Sequence, residues 1–279
     1  MANDIYFRLL YISLSSLCAA CDLKKIKTIF IADLGLSSGN ISALSGLSDK
    51  IALLPPESTV TSSNTIHSKE WVNAVREKTR ILSRIVKYGN VPVVMIDSDT
   101  IIMEDFSDLI NTNYDIQLCR RSKPFLRPDG LSMDYIASFV AVNTSNALAF
   151  IHKWIDRMDE RIALNLPPPH ETPAMVETLA LEKSLKIGYL EDKIVSCENS
   201  YIPRTTKIVH AKGRTTHDKI SIYRFTNIKR LPYKKIINLV DRGERIPFTL
   251  VFFLKKIISI YDIKKSIKKI IKALLKSRP

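Results

Sequence analysis

"VVMIDSDTIIMEDFSDLI", residues 93–110, runs four apolar residues into two aspartates one residue apart, Asp97 and Asp99, then returns to apolar sequence. A short apolar run bounded by such a turn reads as a buried strand. Carboxylates that close repel one another unless they are solvated, protonated or bridged by a cation. Where helices flank a sheet, ligands bind beyond the carboxyl ends of the strands, and this pair falls at such an end. Oxygen ligands at that spacing suit a hard divalent cation, Mg²⁺ or Mn²⁺, which in turn favours a phosphate-bearing ligand. The competing reading is a solvated acidic turn.

Outward from this stretch, strands and helices alternate. Residues 4–20 repeat apolar side chains at helical spacing, with Asp4 placed as an N-cap. IKTIFIA reads as a buried strand, LGLSSGN as the turn into a second helix, and KIALLP as a short strand. After a Ser/Thr/Pro loop at 55–68 comes a helix from about Glu70 to Lys87, then the strand that ends at Asp97. DIQLCRR and IASFVAVNT are further strands, separated by a Pro/Gly loop at 123–130. A long helix over SNALAFIHKWIDRMDERI, a loop at Pro167–Pro169 and a helix over 171–186 follow. IGYLEDKIVS and TTKIVHAKG complete this part. Such alternation predicts an α/β fold with a mainly parallel sheet.

Composition narrows the class. With 46% hydrophobic residues and only 8 glycines in 279, the chain folds rather than staying disordered. No apolar run reaches the roughly 20 residues that span a bilayer, and the N-terminus lacks a signal-peptide pattern. Four scattered cysteines suit a reducing cytoplasm, and Cys18-Ala-Ala-Cys21 within a helical pattern reads as buried helix thiols. Net charge is +14, but residues 229–279 alone carry +12, from 15 Lys/Arg against 3 Asp/Glu. The sequence thus divides into a nearly neutral domain over 1–228 and a basic tail over 229–279. In the tail Ile260, Ile263, Ile267, Ile270 and Leu274 share a helical stripe beside Lys264, Lys265, Lys268, Lys269 and Lys272. This is the pattern of an amphipathic helix lying on an anionic membrane surface, with packing on the domain as the alternative. No nucleic-acid-binding motif accompanies it, so nucleic acid is not an expected partner.

Two other Asp-x-Asp arrangements fail on residues. A haloacid-dehalogenase phosphatase wants Thr or Val two residues after the second Asp, where Ile101 stands. An EF-hand loop counted from Asp97 needs Gly at position 102 and Glu at 108, where Ile102 and Asp108 stand. The ordered set Trp71…Lys78-TRIL…VVMIDSDTIIMEDFSDL, IASFVAVNTSNALAFIHKWIDRM and His210-Ala-Lys-Gly213 resembles something else: retaining nucleotide-sugar glycosyltransferases of the GT-A fold, family 8-like. FIADLGLSSGNISAL looks like the segment after their second strand, and the likeness covers roughly residues 4–215.

The resemblance implies a Rossmann-like GT-A domain using Mn²⁺ or Mg²⁺ and a nucleotide-diphosphate sugar donor. Asp97, Asp99 and His210 would hold the metal, and Lys78, Lys212 and Gly213 would line the donor site with the aspartates. Ser138 falls near donor sugar and acceptor, where the family often has an Asn-x-Gly-type turn and this chain has Ala-Ser-Phe. Glu171 falls near the reacting centre, where Glu171-Thr172 replaces an Asp-Gln pair. Trp71 and Trp154 read as core. The implied acceptor is a glycan or lipid-linked glycan in bacterial surface-polysaccharide or lipopolysaccharide synthesis, with the protein peripheral on the inner face of the plasma membrane. The alternative is a GT-A-like membrane-bound partner without turnover. GT-A domains begin with a strand that contacts the nucleotide base, whereas only Met1 and Ala2 precede the first expected helix. The expectation is an incomplete nucleotide pocket.

Overall fold

The first apolar periodicity folds as α1 (Phe7–Ala20), whose Leu9–Leu17 stretch is buried throughout, Ser13, Ser15 and Ser16 included. It starts later than the sequence suggests. Asp4 does not cap it, because its carboxylate instead accepts from the Ser37 amide at 2.8 Å and Asn40 Nδ2 at 2.7 Å. Asp4 thus tethers α1 to the helix after the next strand. These coordinates are a computed structural model, which describes residues 2–57, 68–121, 123–166, 171–196, 205–210 and the strands 214–216 and 219–221. The basic tail lies outside the described residues.

Strand β1 (Ile29–Ala32), helix α2 (Ser38–Ser45) and strand β2 (Ile51–Leu54) form one crossover unit, and β1 and β2 pair in parallel. Helix α3 (Lys69–Lys87) begins at Ser68, whose hydroxyl accepts from the Trp71 amide. Glu70 sits in its first turn and Arg84 and Lys87 in its last, charges that match the helix dipole. It closes at Gly89, whose φ of +74° admits the left-handed turn. Then come β3 (Val93–Ile96), β4 (Thr100–Ile102), β5 (Ile116–Arg120) and β6 (Tyr135–Val142). Helices α4 (Leu148–Ala163) and α5 (Glu171–Leu181) lead to β7 (Ile187–Glu191), β8 (Val195–Ser196) and β9 (Ile208–His210). A short antiparallel pair, β10 (Arg214–Thr216) with β11 (Lys219–Ser221), ends the described chain. Helix α5 stops short of residue 186 because Glu182 accepts from the Ser184 amide and hydroxyl and turns the chain out.

The α/β class stands, but the sheets are mixed rather than mainly parallel. The four-stranded sheet runs β3-β6-β5-β7, and a second runs β4-β9-β8. Pairing is parallel at β5–β7 and β8–β9 and antiparallel at β3–β6, β5–β6 and β4–β9. The connection explains this. Between β5 and β6 the chain forms only a loop with a Leu126–Ser132 bridge, and a return without a crossover helix gives antiparallel strands. Where α4 and α5 intervene, β7 comes back parallel to β5.

Side chains alternate across the main sheet. Phe139 and Ala141 of β6 join the α1 side of the core, with β4 and β9. Val140 and Val142 join Phe150, Ile151 and Trp154 under α4, with Val75 and Leu82 of α3 and Met175 of α5. Phe139, Phe150 and Trp154 are wholly buried, and truncating one such side chain to alanine costs about 3–5 kcal/mol. Trp154 is core, as its sequence context predicts, and Trp71 packs at the edge of the same cluster.

Candidate functional site

At the end of β3 the chain turns through Ser98 and Asp99 into β4. Strand β4 pairs with β9 so that Thr100 faces His210. Sheet register therefore brings His210 beside Asp99. Its Nε2 lies 3.1 Å from Asp99 Oδ1 and 3.3 Å from Asp97 Oδ2. One ligand atom from each of the three residues lies within 4.8 Å of the others. That is close to what a single ion spans with ligands at about 2.0–2.2 Å. Two carboxylate oxygens and an imidazole nitrogen are a donor set for Mn²⁺ more than for Mg²⁺, which prefers oxygen and water. The three residues therefore fit a divalent cation.

Behind this group stands Lys78. It lies on the buried face of α3, with Nζ 2.6 Å from Asp97 Oδ1 and 3.1 Å from Glu171 Oε1. Burial works against its charge, but Asp97 and Glu171 outweigh that and raise its pKa above the usual lysine value. Lys78 is thus a buried ammonium paired to two carboxylates. Asp97 is held from two sides, Oδ1 by Lys78 and Oδ2 facing His210.

Glu171 reaches Lys78 because α5 is pinned at its first turn. The Trp154 indole donates to the Glu171 carbonyl at 2.9 Å. The Ala137 amide donates to Thr172 Oγ1 at 3.2 Å. That amide is accessible because β6 bulges: the β5–β6 register jumps from Leu118–Val140 to Cys119–Ile136. Bulges recur beside functional sites, where they re-aim side chains. Ser138 lies in this bulge, buried, one residue past the Ile96–Phe139 pair and so level with Asp97. Farther along α5, Glu177 takes Arg157 Nε at 2.6 Å and also binds Arg127 and Arg161, which fixes α5 against α4.

The structure thus brings together Lys78, Asp97, Asp99, Glu171 and His210, with Ser138 adjacent. Lys212 and Gly213 lie outside the described residues. Thr172 also belongs to this site, and no local sequence pattern marks it as a partner for a bulged amide. Cys18 and Cys21 are half-buried, and burial is the main cause that pushes the Cys21 thiol up to about 11. That suits a packing role.

Residues 45–222 match the model of the nucleotide-diphospho-sugar transferase family. The chain belongs to that family. The matched span begins in α2 and contains Lys78, the Asp97–Asp99 turn, Glu171 and His210. Among solved structures, the WbbM bifunctional glycosyltransferase is similar at a TM-score of 0.53 and 14% identity, over 85% of this chain and 50% of that one. The glycosyltransferase GlyE of Streptococcus pneumoniae TIGR4 is similar at 0.51 and 16% identity, over 88% of this chain and 64% of that one. At such identities the likeness concerns the fold, and this chain spans about half of the first protein and under two thirds of the second. No curated protein matches the chain.

Proposed function

We propose that this family member is a metal-dependent, retaining glycosyltransferase that moves a sugar from a nucleotide-diphosphate donor to a glycan or lipid-linked acceptor. The observation that carries the metal dependence is the meeting of Asp97, Asp99 and His210 at a strand end, within a family named for such donors. These three residues would hold Mn²⁺ or Mg²⁺, which when bound supplies Lewis-acid stabilisation of the departing nucleotide diphosphate. Lys78 holds Asp97 in place, and it fixes the Glu171 carboxylate beside the same group. Glu171 is then placed to orient the acceptor or to stabilise positive charge on the reacting sugar. The retaining outcome and a role in bacterial surface-polysaccharide synthesis rest on the family 8 likeness. An anionic membrane surface as partner, on the cytoplasmic side, rests on the charge and apolar stripe of the tail. Among the described residues no helix is long and apolar enough to cross a membrane.

The test is calorimetric titration of a nucleotide-sugar panel with and without Mn²⁺, followed by NMR of the product anomer. One donor should bind only with metal, and the product should keep the donor's anomeric configuration. Metal-dependent donor binding without hydrolysis or transfer would instead favour the inactive, membrane-bound partner.

A further inference from the structure

The loop that joins β5 to β6 carries RRSKPFLR at residues 120–127, with four basic side chains and no acidic one around a Phe-Leu pair. It folds back on itself as two arms. The Arg121 amide donates to the Asp134 carbonyl at 2.7 Å, the Met133 amide to the Phe125 carbonyl at 2.9 Å and the Arg127 amide to the Leu131 carbonyl at 2.9 Å. Gly130, at a φ of +84°, turns the tip. Arg127 braces the loop on α5, because its guanidinium binds both Glu177 and Asp129. On the outside of this braced loop Phe125 stays 52% exposed and Leu126 69%. Single apolar side chains on a surface are ordinary. Two in succession, flanked by cations, make a small amphipathic patch.

The patch stands at the same end of the sheet as the Asp97–Asp99–His210 group. Strands β3 and β5 both pair antiparallel with β6 and so run the same way. Asp97 follows the last residue of β3, and the loop follows the last residue of β5. Its chemistry narrows the partner. The Arg121 guanidinium lies 5.4 Å from the Phe125 ring and that of Arg120 lies 5.1 Å from Tyr189, so a cation already occupies one face of each ring on which a glycan would stack. Leu126 offers no ring at all. Over residues 120–134, four basic against two acidic side chains leave the loop at a net +2. A second copy would set the same cationic loop against this one, which like-charge repulsion opposes. An anionic bilayer fits every group, with headgroup phosphates for Arg120, Arg121 and Lys123 and the acyl boundary for Phe125 and Leu126.

We propose that the Phe125–Leu126 loop is a membrane-contact element that seats in an anionic bilayer and turns the Asp97–Asp99–His210 end of the sheet towards it. The two apolar side chains reach about 5–10 Å into the headgroup and acyl boundary. Arg120, Arg121 and Lys123 stay among the phosphates, with their stems along the apolar layer. One such pair holds a domain only marginally, so the loop acts with a second contact. It therefore rests on the proposed reading of the basic tail as a membrane segment. What the loop adds is orientation. A tail alone tethers the domain in any attitude, whereas a second contact at this end of the sheet fixes the site against the surface where a lipid-linked acceptor lies.

The experiment uses the whole 279-residue chain. One variant is Leu126→Trp, and the control is Tyr88→Trp, 74% exposed before β3 and so at the opposite end of the sheet. Fluorescence is read on phosphatidylcholine–phosphatidylglycerol vesicles with and without bromine on the acyl chains, after subtracting the signal of Trp71 and Trp154. Bromine should quench Leu126→Trp at least about twofold more than Tyr88→Trp. The double variant Phe125→Ser/Leu126→Ser should bind these vesicles at least about tenfold more weakly. Its urea midpoint should not move, because both side chains are exposed. Bound protein quenched no more at 126 than at 88, or a double variant that binds as wild type does, would overturn the loop's role and leave the tail reading standing. A wild-type dimer in sedimentation that the double variant loses would make the patch a contact between copies and overturn it likewise. Protein that binds no vesicle would remove the tail reading and this one with it. Neither readout involves donor binding, so the loop and the transferase activity fail separately.

Discussion

Asp97 and Asp99 look equivalent in the sequence and are not equivalent in the molecule. Asp99 faces His210 on the half-buried rim, whereas Asp97 also neutralises the buried ammonium of Lys78. Asp99→Ala should therefore weaken Mn²⁺-dependent donor binding by at least about tenfold. Its loss of unfolding free energy should be smaller than that of Asp97→Ala, because it leaves no buried ammonium behind. Asp97→Ala should lose the same binding and also about 3 kcal/mol of stability, because breaking a buried pair leaves a charge under-compensated. Calorimetry and urea titration on both variants separate the effects, and equal stability losses would contradict the asymmetry. The pair itself was legible because an apolar strand running into Asp-x-Asp is a local pattern. Its coupling to Lys78 and Glu171 was not, since those contacts join α3 to α5 and depend on packing. Thr172 makes the same point more sharply. Thr172→Val removes the acceptor of a buried amide and should cost about 1–3 kcal/mol, while Thr172→Ser should recover most of it. If valine and serine variants unfold alike in urea, the bulge does not need that hydroxyl.

At the scale of elements, period and turn chemistry located most strands and helices, including β3, α3 and α4. They did not reveal strand direction. Whether β6 runs with or against β5 depends on the loop between them packing without a helix, which apolar periodicity does not report. Nor did they reveal where Asp4 acts: it had the right residue type for a cap on α1 but bonds at the start of α2. The α4–α5 seam offers a pH test at this scale. Glu182 accepts from Ser184 and pairs with Lys153 of α4 at 2.9 Å. The Ser184 hydroxyl first, and then Lys153, hold its carboxyl down at about 2. A carboxyl with a lowered folded pKa adds stability above its unfolded value, near 4.5, and loses it as the pH falls towards 2. Glu182→Gln should lower Tm at pH 7 by about 2–4 °C, the shift that ~1 kcal/mol gives in a domain of this size. Between pH 4.5 and 2 the wild-type and variant curves should converge. A gap that persists at pH 2 would mean that packing, not charge, carries the effect.

At the scale of the whole molecule the dominant fact is charge asymmetry: +12 over residues 229–279 and +2 over the rest. A nearly neutral domain gains little by long-range steering, but the proposed membrane-surface segment, basic with an apolar stripe in its sequence, would gain at an anionic bilayer in two separable ways. In that proposed helix each lysine near such a surface would contribute roughly 1 kcal/mol before screening, and the Ile260–Leu274 stripe would add burial among the headgroups. The two contributions respond differently to salt, because Debye screening acts on the charges and leaves apolar burial intact. Liposome co-sedimentation should therefore show strong binding to vesicles with anionic lipid and weak binding to neutral ones. Raising salt should remove only part of the bound fraction. Reversing Lys264, Lys265, Lys268 and Lys269 to Glu should release the protein at low salt as well, since the stripe then meets a repelled surface. Deleting residues 246–279 should release it without changing donor affinity, because Asp97, Asp99, Lys78 and His210 all lie before residue 211. Full-length protein that stays in the supernatant with both lipid compositions would make the tail a packing or protein-docking element. Loss of donor affinity on deletion would mean instead that the tail belongs to the donor site.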